Sequence, residues 1–165
     1  MPLFALLVAA APVGAAGLPP CRPAQLRLSA ENADGRFDGM SHSGTELSIR
    51  NLGQACSLPR LPLVQMLDRR GRVLAAVRQP PVGMHPGPVM VPIRLGAGHR
   101  AAIELRWVSG AVFDRSRSIN AATVAVRIGA GQIRASLGAE IYGPAGEPVS
   151  FDQSPARAME GMPAG

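Results

Sequence analysis

The chain is short of several things, and each shortage narrows its reading. It has no lysine, so all 17 of its basic side chains are arginine, set against 11 carboxylates for a net charge of +6. Aromatic residues make up only 4% of the sequence, so a core has to be built from Leu, Val, Ile and Ala around the single Trp107. Beyond the N-terminus no apolar run reaches the length of a membrane span. No internal repeat is visible. What the chain has in quantity is 19 glycines and 16 prolines, which favours many turns and short elements over a helical bundle. At 165 residues it suits one domain with a real core.

A basic chain with a pI near 11.1 raises the question of nucleic acid or an anionic surface. The placement of its arginines weakens that reading. Arg27, Arg50, Arg106, Arg127 and Arg134 fall singly on polar faces of alternating segments. The one tight cluster, Arg69-Arg70-Gly71-Arg72, reads as a hairpin turn. No aromatic residues interleave with the arginines to stack bases, so nucleic acid is not an expected partner.

Leu3 to Ala16 is apolar and built of small residues, like the core of a signal peptide, with small residues suited to cleavage near Ala16 or Gly17. Met1-Pro2 supplies no positive n-region. Residues 1–20 are therefore expected to be a signal peptide, and the mature protein to be periplasmic or secreted, with no transmembrane span. A lipid anchor on Cys21 is disfavoured, because Pro19 and Pro20 stand where small residues are needed. In an oxidising compartment two cysteines imply one disulfide. A Cys21–Cys56 bridge would close a loop of roughly 35 residues and contribute on the order of 4 kcal/mol in the chain-entropy model. A thiolate metal pair lacks any CxxC or nearby His spacing.

Thr45 to Leu67 organises the rest. Thr45, Leu47, Ile49 and Asn51 share one strand face, and Glu46, Ser48 and Arg50 share the other. Asn51 to Gln54 then reads as a turn that carries Cys56, and Leu63 to Asp68 as the next strand. Further strands are expected over Gln25–Ala30, Val73–Val77, Val89–Leu95, Ala101–Trp107, Val124–Ile128 and Ile133–Ile141. Glu31–Ser43, Gln79–Pro88 and Ser109–Asn120 read as loops, and residues 144–165 as a flexible C-terminal tail. Seven or eight short strands predict an all-β antiparallel sandwich over residues 21–143.

Cys21, TELSIRNLGQACSL (Thr45 to Leu58), PLVQMLDRRGRVL (Pro62 to Leu74) and IRLGAGHRAAIELRW (Ile93 to Trp107) stand in an order that resembles the DUF4232 family of exported bacterial proteins. The likeness covers roughly Cys21 to Leu137. It implies an immunoglobulin-like sandwich outside the cytoplasm and no particular activity. Members often carry a further cysteine after the Trp; Ser109–Asn120 has none, so no second bridge is expected.

Signatures of catalysis are missing: there is no GxSxG, P-loop, HExxH or dinucleotide fingerprint. Gly129-Ala130-Gly131 lies between strands and reads as a hairpin turn. Glu31, Asp34 and Asp38 hint at a calcium loop without the full ligand set. Asp38, Ser41 and His42 are neighbours along one loop, which does not make a triad. Met40 with His42, and Met84 with His85, would suit a soft cation such as copper if their loops met. His99 reads as a solvated side chain and Trp107 as the anchor between the sheets, with a ligand-stacking Trp as the competing view. The expectation is a non-enzymatic envelope module that binds a partner or small ligand through its three loops. The alternative is a periplasmic copper-binding protein using Met40, His42, Met84 and His85.

Overall fold

The computed structural model describes residues 17–32, 36–80 and 90–159. Eleven strands lie among them: β1 (Leu26–Glu31), β2 (His42–Asn51), β3 (Cys56–Leu58), β4 (Val64–Leu67), β5 (Ala76–Arg78), β6 (Ile93–Leu95), β7 (Arg100–Val108), β8 (Ser116–Ile128), β9 (Gly131–Pro144), β10 (Val149–Gln153) and β11 (Arg157–Met159). The larger sheet runs β1-β2-β7-β10-β5, and β11 also pairs with β7. A second sheet, β4-β8-β9, and a two-stranded pair, β3-β6, complete a sandwich. The all-β expectation therefore holds. The strand count is higher because several elements are only three residues long, too short for alternation to register. One pair departs from antiparallel order: β5 runs parallel to β10.

Period-two alternation decides what each strand buries. Thr45, Leu47, Ile49 and Asn51 of β2, with Ala101, Ile103, Leu105 and Trp107 of β7, are buried on the inner face. Against them pack Val64 and Met66 of β4, Val124, Val126 and Ile128 of β8, and Ile133 and Ile141 of β9. These are aliphatic, as the scarcity of aromatics requires.

Two expected loops turn out to be partly strand, and in the first, Glu31–Ser43, Glu31 ends β1 while His42 and Ser43 open β2. Ser116–Asn120 belongs to β8 and pairs with Glu140–Pro144, although Ile119 is the only large apolar residue in that stretch. A neighbouring strand supplies the backbone hydrogen bonds, so pairing needs no apolar run there. The expected tail needs a larger correction. Val149–Gln153 is β10, inserted between β7 and β5, and Arg157–Met159 is β11. Val149 and Phe151 lie in the core, 0% and 2% exposed. Their alternation is brief and sits among Gly, Pro and Ala, which is why composition alone reads as a tail. Of the expected tail, residues 160–165 lie outside the described residues, as do 1–16 of the expected signal peptide.

The sandwich has two unlike ends. At one, Cys21 and Cys56 form a disulfide with 4.8 Å between Cα atoms. Beside it Asn51, 0% exposed, ties three segments together. Its Oδ1 accepts from Gln25 Nε2 (3.0 Å) and Gly53 N (2.9 Å). Its Nδ2 donates to Gln54 O (2.9 Å) and Leu95 O (3.0 Å). The chain enters at this stapled end, where Cys21 N bonds Ser57 O and Ser57 N bonds Pro19 O. It leaves there too, since Met159 pairs with Arg100.

Candidate functional site

The opposite end holds a cleft. Glu31 closes β1 and His42 opens β2 at this end, and β7 reaches it at Val108. The segment Arg36–Ser41 folds back over the sheet's outer face. Phe37 enters a notch above Gly44, where any Cβ would collide with Phe37 and with the Leu105 carbonyl. Arg36 lies 4.7 Å over the Phe37 ring and also pairs with Glu46 (3.0 Å) and Glu104 (3.1 Å). The turn at Met40-Ser41 is closed by His42 N bonding Gly39 O at 2.7 Å. Ser109 N then bonds Ser41 O at 2.8 Å, joining two of the expected interaction loops.

The far wall comes from β9. Ala121 faces Ala139 and Thr123 faces Ser136, so Ala122 is opposed by two residues, Leu137 and Gly138. Gly138 has φ +65°, which accommodates the extra residue of this bulge. Beside the bulge lies a cleft of ≈ 490 Å³ lined by Asn32, Asp38, Thr45, Trp107, Ser109 and Glu140, among others. Sequence reasoning expected a strand over Ile133–Ile141 but missed its bulge; the signal available was a lone glycine inside a strand pattern.

Trp107 is 6% exposed: its ring sits in the core and one edge reaches the cleft. The polar rim is already hydrogen-bonded. Asp38 Oδ1 accepts from Ser43 Oγ at 2.8 Å, and Glu140 Oε1 accepts from Ser118 Oγ at 2.9 Å. Glu140 also accepts from the Tyr142 phenol, which raises the Tyr142 pKa above its ordinary value, with desolvation adding to the effect. Thr45 Oγ1 is engaged with Glu31 O at 2.8 Å. Such a rim can hold a polar ligand by its hydroxyls and carboxylates, with the Trp107 edge beneath.

The expected chemistry does not assemble around it. His42 Nδ1 lies 2.9 Å from Met40 O, and Asp38 is committed to Ser43, so no relay joins Asp38, His42 and Ser41. Met40 is 95% exposed. Met84 and His85, the other half of the expected copper set, lie outside the described residues, as does Asp34 of the hinted calcium loop. Among the described residues no three His, Cys, Asp or Glu side chains stand together as metal ligands. His99 is exposed beside its turn. The third expected loop departs from β5, where Gln79 N bonds Phe151 O, and its residues 81–88 lie outside the described set.

Two polar side chains instead hold turns. Asn51 is the hub already described. Asp68 Oδ1 accepts from Arg70 N (2.8 Å) and Arg72 N (2.9 Å), while its Oδ2 takes both Arg72 Nε and Nη2 at 2.8 Å. Comparison with curated proteins finds no match, and neither does comparison with solved structures. A family model does match, over residues 21–160, and by that match the chain belongs to the family described as domain of unknown function DUF4232.

Proposed function

We propose that the protein is a non-enzymatic, exported module of the cell envelope that binds a partner or small ligand in the cleft beside Trp107. The observation that carries this reading is the cleft itself. A β-bulge, a folded-back segment and Ser109 converge on it, and their polar groups meet one aromatic edge. Concave sites of mixed apolar and convergent polar lining are where proteins of this size bind. The disulfide suits an oxidising compartment, which supports export to the periplasm or the outside. The cleft also lies at the end away from the chain's entry and exit, so a tether at the stapled end would leave it accessible. Nothing among the described residues adds a donor to Met40 and His42, so the copper reading gains no support there.

The test uses the full chain as bait against envelope extract. Asn32 is an exposed rim residue, so Asn32→Trp fills the cleft without disturbing the core. A partner or ligand captured by the parent chain and lost with Asn32→Trp, at an unchanged melting temperature, supports the reading. Capture that survives the substitution, or no capture by the parent chain, overturns the cleft as the binding site.

A further inference from the structure

The arginines that look scattered in the sequence are aligned in the fold. Arg27 of β1 faces Arg50 of β2, and Arg50 faces Arg100 of β7. The three lie side by side across adjacent strands on the outer face of the larger sheet, and all are exposed. At the usual strand spacing the row spans about 10 Å. Like charges directly opposite one another destabilise a sheet, so such a row needs an explanation. Four residues along the same strands, Glu31, Glu46 and Glu104 form a matching acidic row, and there Arg36 and Arg157 neutralise Glu46 and Glu104. The arginine row has no such compensation among the described residues. Arg27 Nη1 donates to the Leu26 carbonyl at 2.9 Å, while the Arg50 and Arg100 side chains make no hydrogen bond or ion pair among the described residues.

The imbalance extends over the whole stapled end. No aspartate or glutamate occurs within 17–30, 50–60, 92–102, 127–135 or 154–159, the segments that build it. Arg22, exposed beside Arg27, adds to the same patch. Among the described residues, the protein therefore has one mixed-charge end with the cleft and one end that carries arginines and no carboxylate; Glu160, which follows Met159, lies outside the described residues.

We propose that the cationic end docks on an anionic phospholipid surface, with Arg27, Arg50 and Arg100 meeting the headgroup phosphates. Two features select this occupant. A row of guanidinium groups on an exposed sheet face matches phosphates presented in a plane. No aromatic side chain interrupts the row, so it lacks the stacking platform a single-stranded nucleic acid would use. The proposal concerns the end opposite the cleft and stands independently of the cleft reading.

The experiment is co-sedimentation of the full, disulfide-intact chain with vesicles of phosphatidylcholine alone and of phosphatidylcholine mixed with phosphatidylglycerol. Any apolar contribution is common to both vesicles, so the difference between them isolates charge. At about fivefold per arginine, the mixed vesicles are expected to bind on the order of a hundredfold more tightly. Arg27→Gln/Arg50→Gln/Arg100→Gln is expected to abolish that preference. Arg69→Gln/Arg70→Gln/Arg115→Gln changes net charge equally but lies away from the stapled end, and is expected to keep it. If both triple variants lose the preference equally, or neither loses it, the proposal fails. It fails equally if the row variant binds lipid normally but loses a single-stranded oligonucleotide. Should the triple variant not fold, Arg50→Gln and Arg100→Gln taken singly read the same loss in steps of about fivefold.

Discussion

Glu46 and Glu104 stand directly opposite each other on β2 and β7, and two arginines from distant parts of the chain each bridge both carboxylates. Arg36 comes from the folded-back segment and Arg157 from β11. The ion pairs therefore hold two peripheral pieces onto the outer face of the sheet. All four side chains are partly exposed, so each single pair contributes little, about 0.5 kcal/mol. Removing both arginines leaves the two glutamates facing each other uncompensated. Arg36→Gln/Arg157→Gln is expected to cost more than the two single substitutions summed, about 1–2 kcal/mol in all. Urea denaturation of the double and single variants measures this. The excess should shrink at high salt, where the Debye length falls to about 3 Å at 1 M.

Phe37 and Gly44 make the other half of the same clamp. A methyl at Gly44 has to displace the ring or the Leu105 carbonyl, and the carbonyl belongs to a paired strand that cannot move. Gly44→Ala is expected to destabilise the fold by about 1–3 kcal/mol, the usual cost of overpacking. Because the ring is the softer neighbour, the damage should concentrate in residues 36–41. Amide hydrogen exchange would show that segment losing protection first. Uniform loss across β2 and β7 would locate the strain in the sheet instead.

Asn51 supports a sharper pair of variants. Its amide both accepts and donates while fully buried, so the group cannot be exchanged for a carboxylate of the same shape. Asn51→Ala leaves the Leu95 carbonyl without its side-chain donor and is expected to cost about 3 kcal/mol or more. Asn51→Asp puts an oxygen where Nδ2 met the carbonyls of Gln54, Leu95 and Gly96, and is expected to cost at least as much at neutral pH. Thermal melts across pH separate the two. The Asp variant should recover partially in acid, when its carboxyl becomes a donor, and the Ala variant should not.

These devices differ in how far the sequence announces them. The strands Thr45–Asn51 and Ala101–Trp107 are legible because each buries one face against a sheet and so alternates over seven residues. Asn51 is legible as the head of a turn and Arg69-Arg70-Gly71-Arg72 as a hairpin turn. β10 is not, because three core positions at alternate places are too few to stand out from a Gly- and Pro-rich stretch. The family match to residue 160 carries the domain through β10 and β11, past the point where composition suggests it stops. The arginine row is invisible for a different reason. Arg27, Arg50 and Arg100 are far apart in the chain, and only strand register makes them neighbours. The bulge at Leu137–Gly138 that lines the cleft is signalled by only a single glycine.

The disulfide is expected to matter through the unfolded chain. It closes a 35-residue span from Cys21 to Cys56, so reduction should cost up to about 4 kcal/mol. Intact-mass measurement of protein from the exported fraction should show a gain of about 2 Da on reduction, before alkylation. Because Cys21 joins β1's approach to β3, the reduced protein should lose exchange protection first at Leu26–Leu28 and Cys56–Leu58. Two free thiols in the exported protein would remove the support that the bridge lends to an oxidising compartment.

Asp68 provides the pH test. Backbone hydrogen bonds from Arg72 and Arg70, with the Arg72 guanidinium, hold its pKa below the ordinary 3.8, and partial desolvation opposes them. A carboxylate with a depressed folded-state pKa stabilises the fold above its unfolded value. That contribution should be fully present at neutral pH. It should fade as pH falls below about 4 and vanish once the pH drops through the folded-state pKa. Asp68→Asn keeps the oxygen that accepts from the Arg70 and Arg72 backbone amides but loses the charge and the Arg72 guanidinium pairing. The variant is therefore expected to be less stable than the parent at neutral pH, and the gap should close in acid. Urea midpoints measured from neutral pH downward check this. A constant gap between the two proteins would mean that turn geometry, and not the charge on Asp68, holds the hairpin between Leu67 and Val73.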